Sequence, residues 1–423
     1  MKEERVSEIS YLRMLLIACG AAVPIALLAV AYFVIVDGGQ IIVWARLPAA
    51  LHQVDTRIYT VVLATLGGLA AGLTLKYLGI HNEKSLTEEI IEEGKVEYRG
   101  LFGLLVAAVI GLACGASLGP ESPLGHMGGG LNSWLADRLK YPVERRRVLA
   151  LSGISAVFGG FLGTPLGGAF IAIEYTGLIR FPLYPDIIAG MATALIGYLV
   201  FRVLLGKSYF GYFQFTDQAG FEPIHLVYAL AFGALSVLLG YLFMALFRGL
   251  KSATAPLSSH PVLKITLGGL GFGLVGAFLP LTMFSGGPQL KTIIEQGAEI
   301  GLGVMLLLGL AKMFTLSLCM VSGFPGGFIL PLLFTAGAFG EALHLALPFI
   351  PQSVAMLCIM GGMSGALMRM PIGAIILLQL LTGQQYLPVI IVACLTGYLL
   401  STYLQAANAR QALKEAEEQS QYD

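Results

Sequence analysis

Glu121 is the only charged residue between Gly100 and Ala136, within the stretch SLGPESPLGHMGGG. A carboxylate in apolar surroundings is costly unless it faces a polar cavity or pathway. Gly119, Pro120 and Pro123 would break a lipid-facing helix, and irregular backbone at membrane depth is tolerated only where protein or water covers it. Proline is accepted in a helix's first turn, so GPESP reads as a helix start. Such a start gathers unpaired N–H groups and partial positive charge, which attract anions. Glu121 would therefore bring its own carboxylate into an anion site, where it competes with a diffusing ion and is released by protonation. The structural alternative is a buried glutamate that only ties down backbone amides.

A second segment, GFPGGFILP (Gly323–Pro331), has similar punctuation but no carboxylate. Phe328 and Ile329 stand where the first segment has its acid, which suits a second set of amides with apolar walls. The two segments belong to a longer internal similarity. GTPLGGAFIAIEYTG (Gly163–Gly177) is matched by MRMPIGAIILLQLLTG (Met368–Gly383). Pro123 precedes Pro165 by 42 residues, and Pro331 precedes Pro371 by 40. Two motifs in the same order and spacing predict duplicated halves, roughly 50–205 and 222–404, with a site where interrupted helices meet.

The elements that must position these residues are membrane helices. The chain has 423 residues, of which 57% are hydrophobic and 12% charged. Apolar runs recur near 11–36, 56–79, 100–118, 149–178, 186–205, 222–247, 265–283, 300–322, 328–349, 354–380 and 386–404. Several reach the ~20 residues that a transmembrane helix needs. The expected fold class is therefore an all-α polytopic membrane protein, with a transmembrane domain over 1–404 and a short polar tail over 405–423. The first apolar run lacks a small-residue cleavage site and reads as a membrane element rather than a signal peptide. Lys2, Arg5 and Arg13 flank it and Arg410 and Lys414 follow the last run, which places both termini in the cytoplasm by the positive-inside rule.

Balanced charge, 25 basic against 25 acidic residues, gives no reason to expect nucleic acid as a partner. Cys19, Cys114, Cys319, Cys358 and Cys394 lie in apolar runs without metal spacing, and the six histidines are scattered. No metal or cofactor is expected. KSLTEEI (Lys84–Ile90) offers a capping box from Ser85 to Glu88, and the Ser85 hydroxyl could also reach an anion. Glu174, Lys312 and Arg369 are lone charges in apolar runs, and their expected role is structural pairing. One enzymatic alternative exists: Gly115-Ala-Ser117-Leu-Gly119 matches G-x-S-x-G, with His126 the nearest base for an intramembrane serine hydrolase.

Taken together, the motifs resemble those of the CLC family of chloride channels and chloride/proton antiporters. LGPESPLGHMGG resembles the gating segment G-R-E-G-P, and SGFPGGFILP resembles G-x-P-G-G-x-F-x-P. SGGP (Ser285–Pro288) resembles the glycine-rich turn before it. GTPLGGAFIAIE and MRMPIGAIILL resemble N-A-P-L-A-G-x-x-F-x-x-E and R-A-P-L-T-G-x-x-L. The resemblance runs in family order from about Ala71 to Gly383. It implies an inverted repeat of tilted, partly broken helices, a homodimer in membrane lipid and one anion pathway per subunit. It implies Glu121 as gate, with Ser85, Gly119, Pro120, Ser122, Gly327, Phe328 and Ile329 around the anion. Chloride or a similar small anion would be the cargo.

Departures modify this expectation. The serine motif G-S-G-I-P reads Lys84-Ser85-Leu86-Thr87-Glu88 here, which leaves chloride, nitrate and fluoride as alternatives. Pro120 and Ser122 flank Glu121 in place of arginine and glycine. The family's antiporters carry an inner proton-passing glutamate just after the position of Glu174, and this chain has Tyr175 there, a poor titrating group near neutral pH. Glu121, Glu174 and Tyr175 are thus the proton-pathway candidates, with passive or weakly coupled transport expected and coupled antiport the alternative. The family's C-terminal pore tyrosine is missing. Asn408-Ala409-Arg410 stands there, with Tyr403 a turn away.

Overall fold

The computed structural model describes residues 2–50, 55–79, 86–175, 184–206, 213, 215, 217 and 220–420. Helices dominate it. The first part runs α1 (Lys2–Ile41), α2 (Leu47–Ala50), α3 (Thr56–Leu78), α4 (Leu86–Glu93), α5 (Leu101–Ala113), α6 (Glu121–Arg138), α7 (Val143–Leu162), α8 (Pro165–Tyr175) and α9 (Tyr184–Leu205). The second runs α10 (Ile224–Thr254), α11 (Pro261–Phe278), α12 (Gly287–Ile300), α13 (Leu302–Ser322), α14 (Ile329–Ala346), α15 (Gln352–Met363), α16 (Pro371–Thr382) and α17 (Leu387–Ser420).

Eight helical spans among the described residues are long and apolar enough to cross a membrane. Two of the predicted apolar runs prove to be broken. The run 149–178 divides between α7 and α8, where Gly163 takes φ +73° and Pro165 opens the next helix. The run 354–380 divides after α15 and a π turn (Ser364–Met368), where Arg369 takes φ +54° and Pro371 opens α16. With 11 and 12 residues, α8 and α16 rise only partway through a ~30 Å hydrocarbon layer at 1.5 Å per residue. Their ends must therefore lie inside the protein, where buried partners satisfy the freed backbone groups.

The core is packed by close backbone approach. α7 crosses α6 and α9, and its residues from Val148 to Leu162 are all buried. At the α6–α7 crossing, Gly128 and Gly153 face each other so closely that a Cβ on either would overlap the other's carbonyl. Small residues of this kind let membrane helices associate without a hydrophobic force between them. The lipid-side surfaces of α1, α3, α9, α10 and α17 present exposed leucines, isoleucines and valines such as Leu66, Leu199 and Leu238.

The contact at Gly153 makes a stability test. Gly153→Ala should lower the thermal midpoint in detergent, since forced overpacking costs about 1–3 kcal/mol. Gly249→Ala, where an added Cβ meets nothing within 4 Å, should leave it unchanged. Equal midpoints for the two variants would contradict the close crossing.

Candidate functional site

Two helix starts meet tip to tip in the interior. The N–H of Gly119 donates to the carbonyl of Gly327 at 2.8 Å, and the N–H of Gly327 donates back to Gly119 at 2.6 Å. One residue on, Pro120 and Phe328 are the N-caps of α6 and α14. Each helix then has proline as its third residue, Pro123 and Pro331. The two starts therefore share one register about the glycine pair. An α-helix leaves its first N–H groups without intrahelical acceptors. Each N-terminus carries about half a positive elementary charge, so two together supply about one.

Glu121, first residue of α6, answers that charge. Its Oε1 accepts the N–H of Leu330 in the first turn of α14 at 3.0 Å. A carboxylate from one helix thus caps the other. The side chain is fully buried, and Oε2 has no hydrogen-bond partner. Gly119 and Gly327 are needed here for space, because a Cβ on either would overlap the Glu121 carboxylate.

This geometry revises the expected anion ligands. The Gly119 and Gly327 amides are spent on each other, and Pro120 has no N–H to give, so none of the three offers a free amide, and both glycines pack against Glu121. Ser122, Phe328 and Ile329 keep first-turn amides with no acceptor outside their own helices among the described residues. Ile329 is buried, and Ser122 and Phe328 are half-buried. Ser85 lies outside the described residues, so the predicted capping box is not seen; α4 begins at the next residue, Leu86.

The other lone charges differ in how fully they are satisfied. Glu174, near the end of α8, accepts the amides of Ile372 at 3.1 Å and Gly373 at 2.6 Å, capping α16 with both oxygens. Tyr175 follows as the last residue of that helix; its side chain lies outside what is described. Lys312 is fully buried on α13 and donates to the carbonyls of Thr282 (3.0 Å), Met283 (3.2 Å) and Phe284 (2.7 Å), with its ammonium 5.2 Å from the Phe334 ring centroid. These two fit the structural expectation. Arg369 does not: it is exposed and makes no ion pair or hydrogen bond among the described residues.

The hydrolase alternative fails on geometry. The Ser117 hydroxyl donates to Thr282 O at 3.0 Å and accepts from Thr315 Oγ1 at 3.0 Å. His126 instead pairs its Nδ1 with the carbonyl of Ser122 at 2.8 Å, one turn back on its own helix. Among the described residues no histidine or carboxylate is hydrogen-bonded to the serine. Tyr403 and Arg410, weighed as stand-ins for a pore residue, are both exposed on α17.

A hydroxyl near Glu121 comes from an element that the sequence reading passed over. Tyr32 on α1, a helix that packs against α6, is buried and its hydroxyl has no hydrogen-bond partner. The only signal in the sequence was one phenol in the apolar run LLAVAYFVIV, where an aromatic residue is ordinary.

Residues 67–402 match the model of the voltage gated chloride channel family. A candidate ion-transport protein, YfeO, from Escherichia fergusonii is 27% identical over 328 residues, covering 75% of this chain and 76% of that protein. YfeO of Escherichia coli K12 is similar to the same extent. Among solved structures, a slow cyanobacterial Cl−/H+ antiporter superposes with a TM-score of 0.79 at 20% identity, over 93% of this chain and 95% of that one. A CLC-type fluoride/proton antiporter gives 0.73 at 18% identity, over 92% and 95%. The structural likenesses show the fold, and the match over 67–402 shows the family: the chain is a multi-pass membrane protein of the CLC chloride channel family.

Proposed function

We propose that the chain carries chloride or a similar small anion past the facing starts of α6 and α14, with Glu121 as a proton-sensitive gate. The observation that carries this reading is the Glu121 carboxylate lying on the amide of Leu330, with its second oxygen unpartnered in a fully buried site. Two helix N-termini balance about one negative charge, so the carboxylate and a monovalent anion are alternatives for the same field. Protonation removes the carboxylate's claim. Fixed dipoles hold an anion without a full counter-charge, which lets it leave again. The remaining first-turn amides, of Ser122, Phe328 and Ile329, are the proposed anion donors, and Tyr32 is a hydroxyl partner on the wall beside the gate. Ser85 is proposed as a further ligand on the strength of the resemblance alone.

Transport is proposed to be passive or weakly proton-coupled, because Tyr175 follows Glu174 where a second carboxylate would complete a relay. Glu174 is itself engaged by two amides. Coupled antiport is the second reading, favoured by the proton antiporters with similar folds. The shared register of α6 and α14 supports duplicated halves. A homodimer in the inner membrane with cytoplasmic termini completes the proposal, from family membership and the basic residues flanking the first and last spans.

Anion efflux from proteoliposomes, with pH recorded at the same time, tests the proposal. Flux should rise as pH falls, because protonation frees the site. Glu121→Gln should keep the flux and abolish its pH dependence; a variant with an unchanged pH profile would remove Glu121 as gate. A chloride gradient that drives protons uphill in fixed ratio would replace passive transport with antiport. Tyr32→Phe should displace the pH profile in the native background and leave the profile of Glu121→Gln alone. A fluorophosphonate probe should leave Ser117 unlabelled.

A further inference from the structure

Far along the chain from Glu121, a cleft of about 490 Å³ opens between α10, the π turn after α15 and α17. Its walls include Arg248, Arg369, Tyr241, Ser401, Gln405 and Asn408. It differs from the rest of the helical surface in three ways. Neither guanidinium has an ion pair or a hydrogen bond among the described residues, although the two stand on separate elements and line one cavity. The Tyr241 hydroxyl is inaccessible and also without a hydrogen-bond partner. The third difference is depth. Arg248 lies in the last two turns of α10, and the apolar run of α17 gives way after Leu404 to the polar sequence that holds Gln405 and Asn408, which suits a cleft near the polar interface.

We propose that this cleft binds a phosphate group, through the Arg248 and Arg369 guanidiniums. Two guanidinium forks lining one cavity suit a tetrahedral oxyanion, which can accept hydrogen bonds from both. Basic pockets between membrane helices at this depth suit the headgroup of an anionic phospholipid. Free inorganic phosphate offers the same chemistry from the aqueous side. Arg369 holds its position at φ +54°, a backbone conformation unfavourable for any residue with a side chain. That conformation falls at the junction between the π turn and α16, so the ligand would brace a break in the membrane domain. Chloride lacks the several oxygens needed to engage both forks.

The full-length protein, purified and stripped of lipid, is titrated with phosphatidylglycerol and with phosphatidylcholine under native mass spectrometry. Thermal shifts are measured in parallel with inorganic phosphate and with chloride. Phosphatidylglycerol should bind in preference to phosphatidylcholine, and Arg248→Gln or Arg369→Gln should weaken it about tenfold each, as expected for loss of one charged hydrogen-bonding group. Arg248 lies on a regular helix, so Arg248→Gln carries the test if Arg369→Gln does not fold. Stabilisation by inorganic phosphate, lost in the same variants and unaccompanied by lipid preference, would support the site and assign it to the free ion. The proposal is overturned if both lipids bind alike in native and variant proteins and inorganic phosphate gives no stabilisation that the variants lose. It is also overturned if chloride stabilises as well as phosphate through the same arginines, since the cleft would then serve the transported ion.

Discussion

The hydrogen bond from the Leu330 amide to Glu121, made across the reciprocal Gly119–Gly327 pair, resolves a problem that membrane depth imposes. Every backbone N–H there needs a partner, and breaking two helices in the middle of the protein creates a cluster of amides without one. Much of that need is met in two steps. The glycines pair with each other, which fixes the two helix tips at hydrogen-bonding distance. Prolines at the third position of both helices remove a donor from each. What remains is a short set of first-turn amides and about one unit of positive charge. A single carboxylate answers both, and so could a single monovalent anion.

Completeness of partnering separates the buried charges of this protein. Glu174 gives both oxygens to amides of α16, and Lys312 donates to three carbonyls in the turn before α12. Each closes a helix end or turn that the broken topology leaves open. Removing either would strand several backbone groups, which argues for a fixed structural role. Glu121 closes only part of its site and leaves Oε2 unmatched. An incompletely satisfied buried group is held less firmly than a complete one. It is therefore the better candidate for a part that moves.

The legible part of this architecture lay in punctuation. The glycines and prolines around Glu121 marked an interruption that hydropathy alone blurs, Pro165 and Pro371 marked the repeat, and the lone charges announced themselves by isolation. Long-range pairing was not legible. Nothing local tells that Gly119 spends its amide on Gly327, so both looked like anion donors when their amides are paired and they pack against the Glu121 carboxylate. The helix α6 escaped the apolar count because LGPESPLGHMGGG is too rich in glycine to register as a span, although burial against α7 makes it helical. Breaks inside the long runs 149–178 and 354–380 depended on positive φ at Gly163 and Arg369. An arginine gives no warning of that conformation.

The position of Tyr32 follows from what α17 does. That helix continues without interruption from Leu387 to Ser420, so no described segment after Leu404 folds back toward the starts of α6 and α14. Tyr403, the nearest phenol to the missing pore tyrosine in sequence, faces outward. A hydroxyl beside Glu121 must then come from another element packed against that region. The first helix is suited to this because it contacts both α5 and α6. α5 carries no ionisable side chain, and the charges of α7 lie in its first two turns, at Glu144, Arg145, Arg146 and Arg147. The phenol on α1 is thus a buried, unpartnered hydroxyl on a helix packed against α6, and it arrives from the opposite end of the chain.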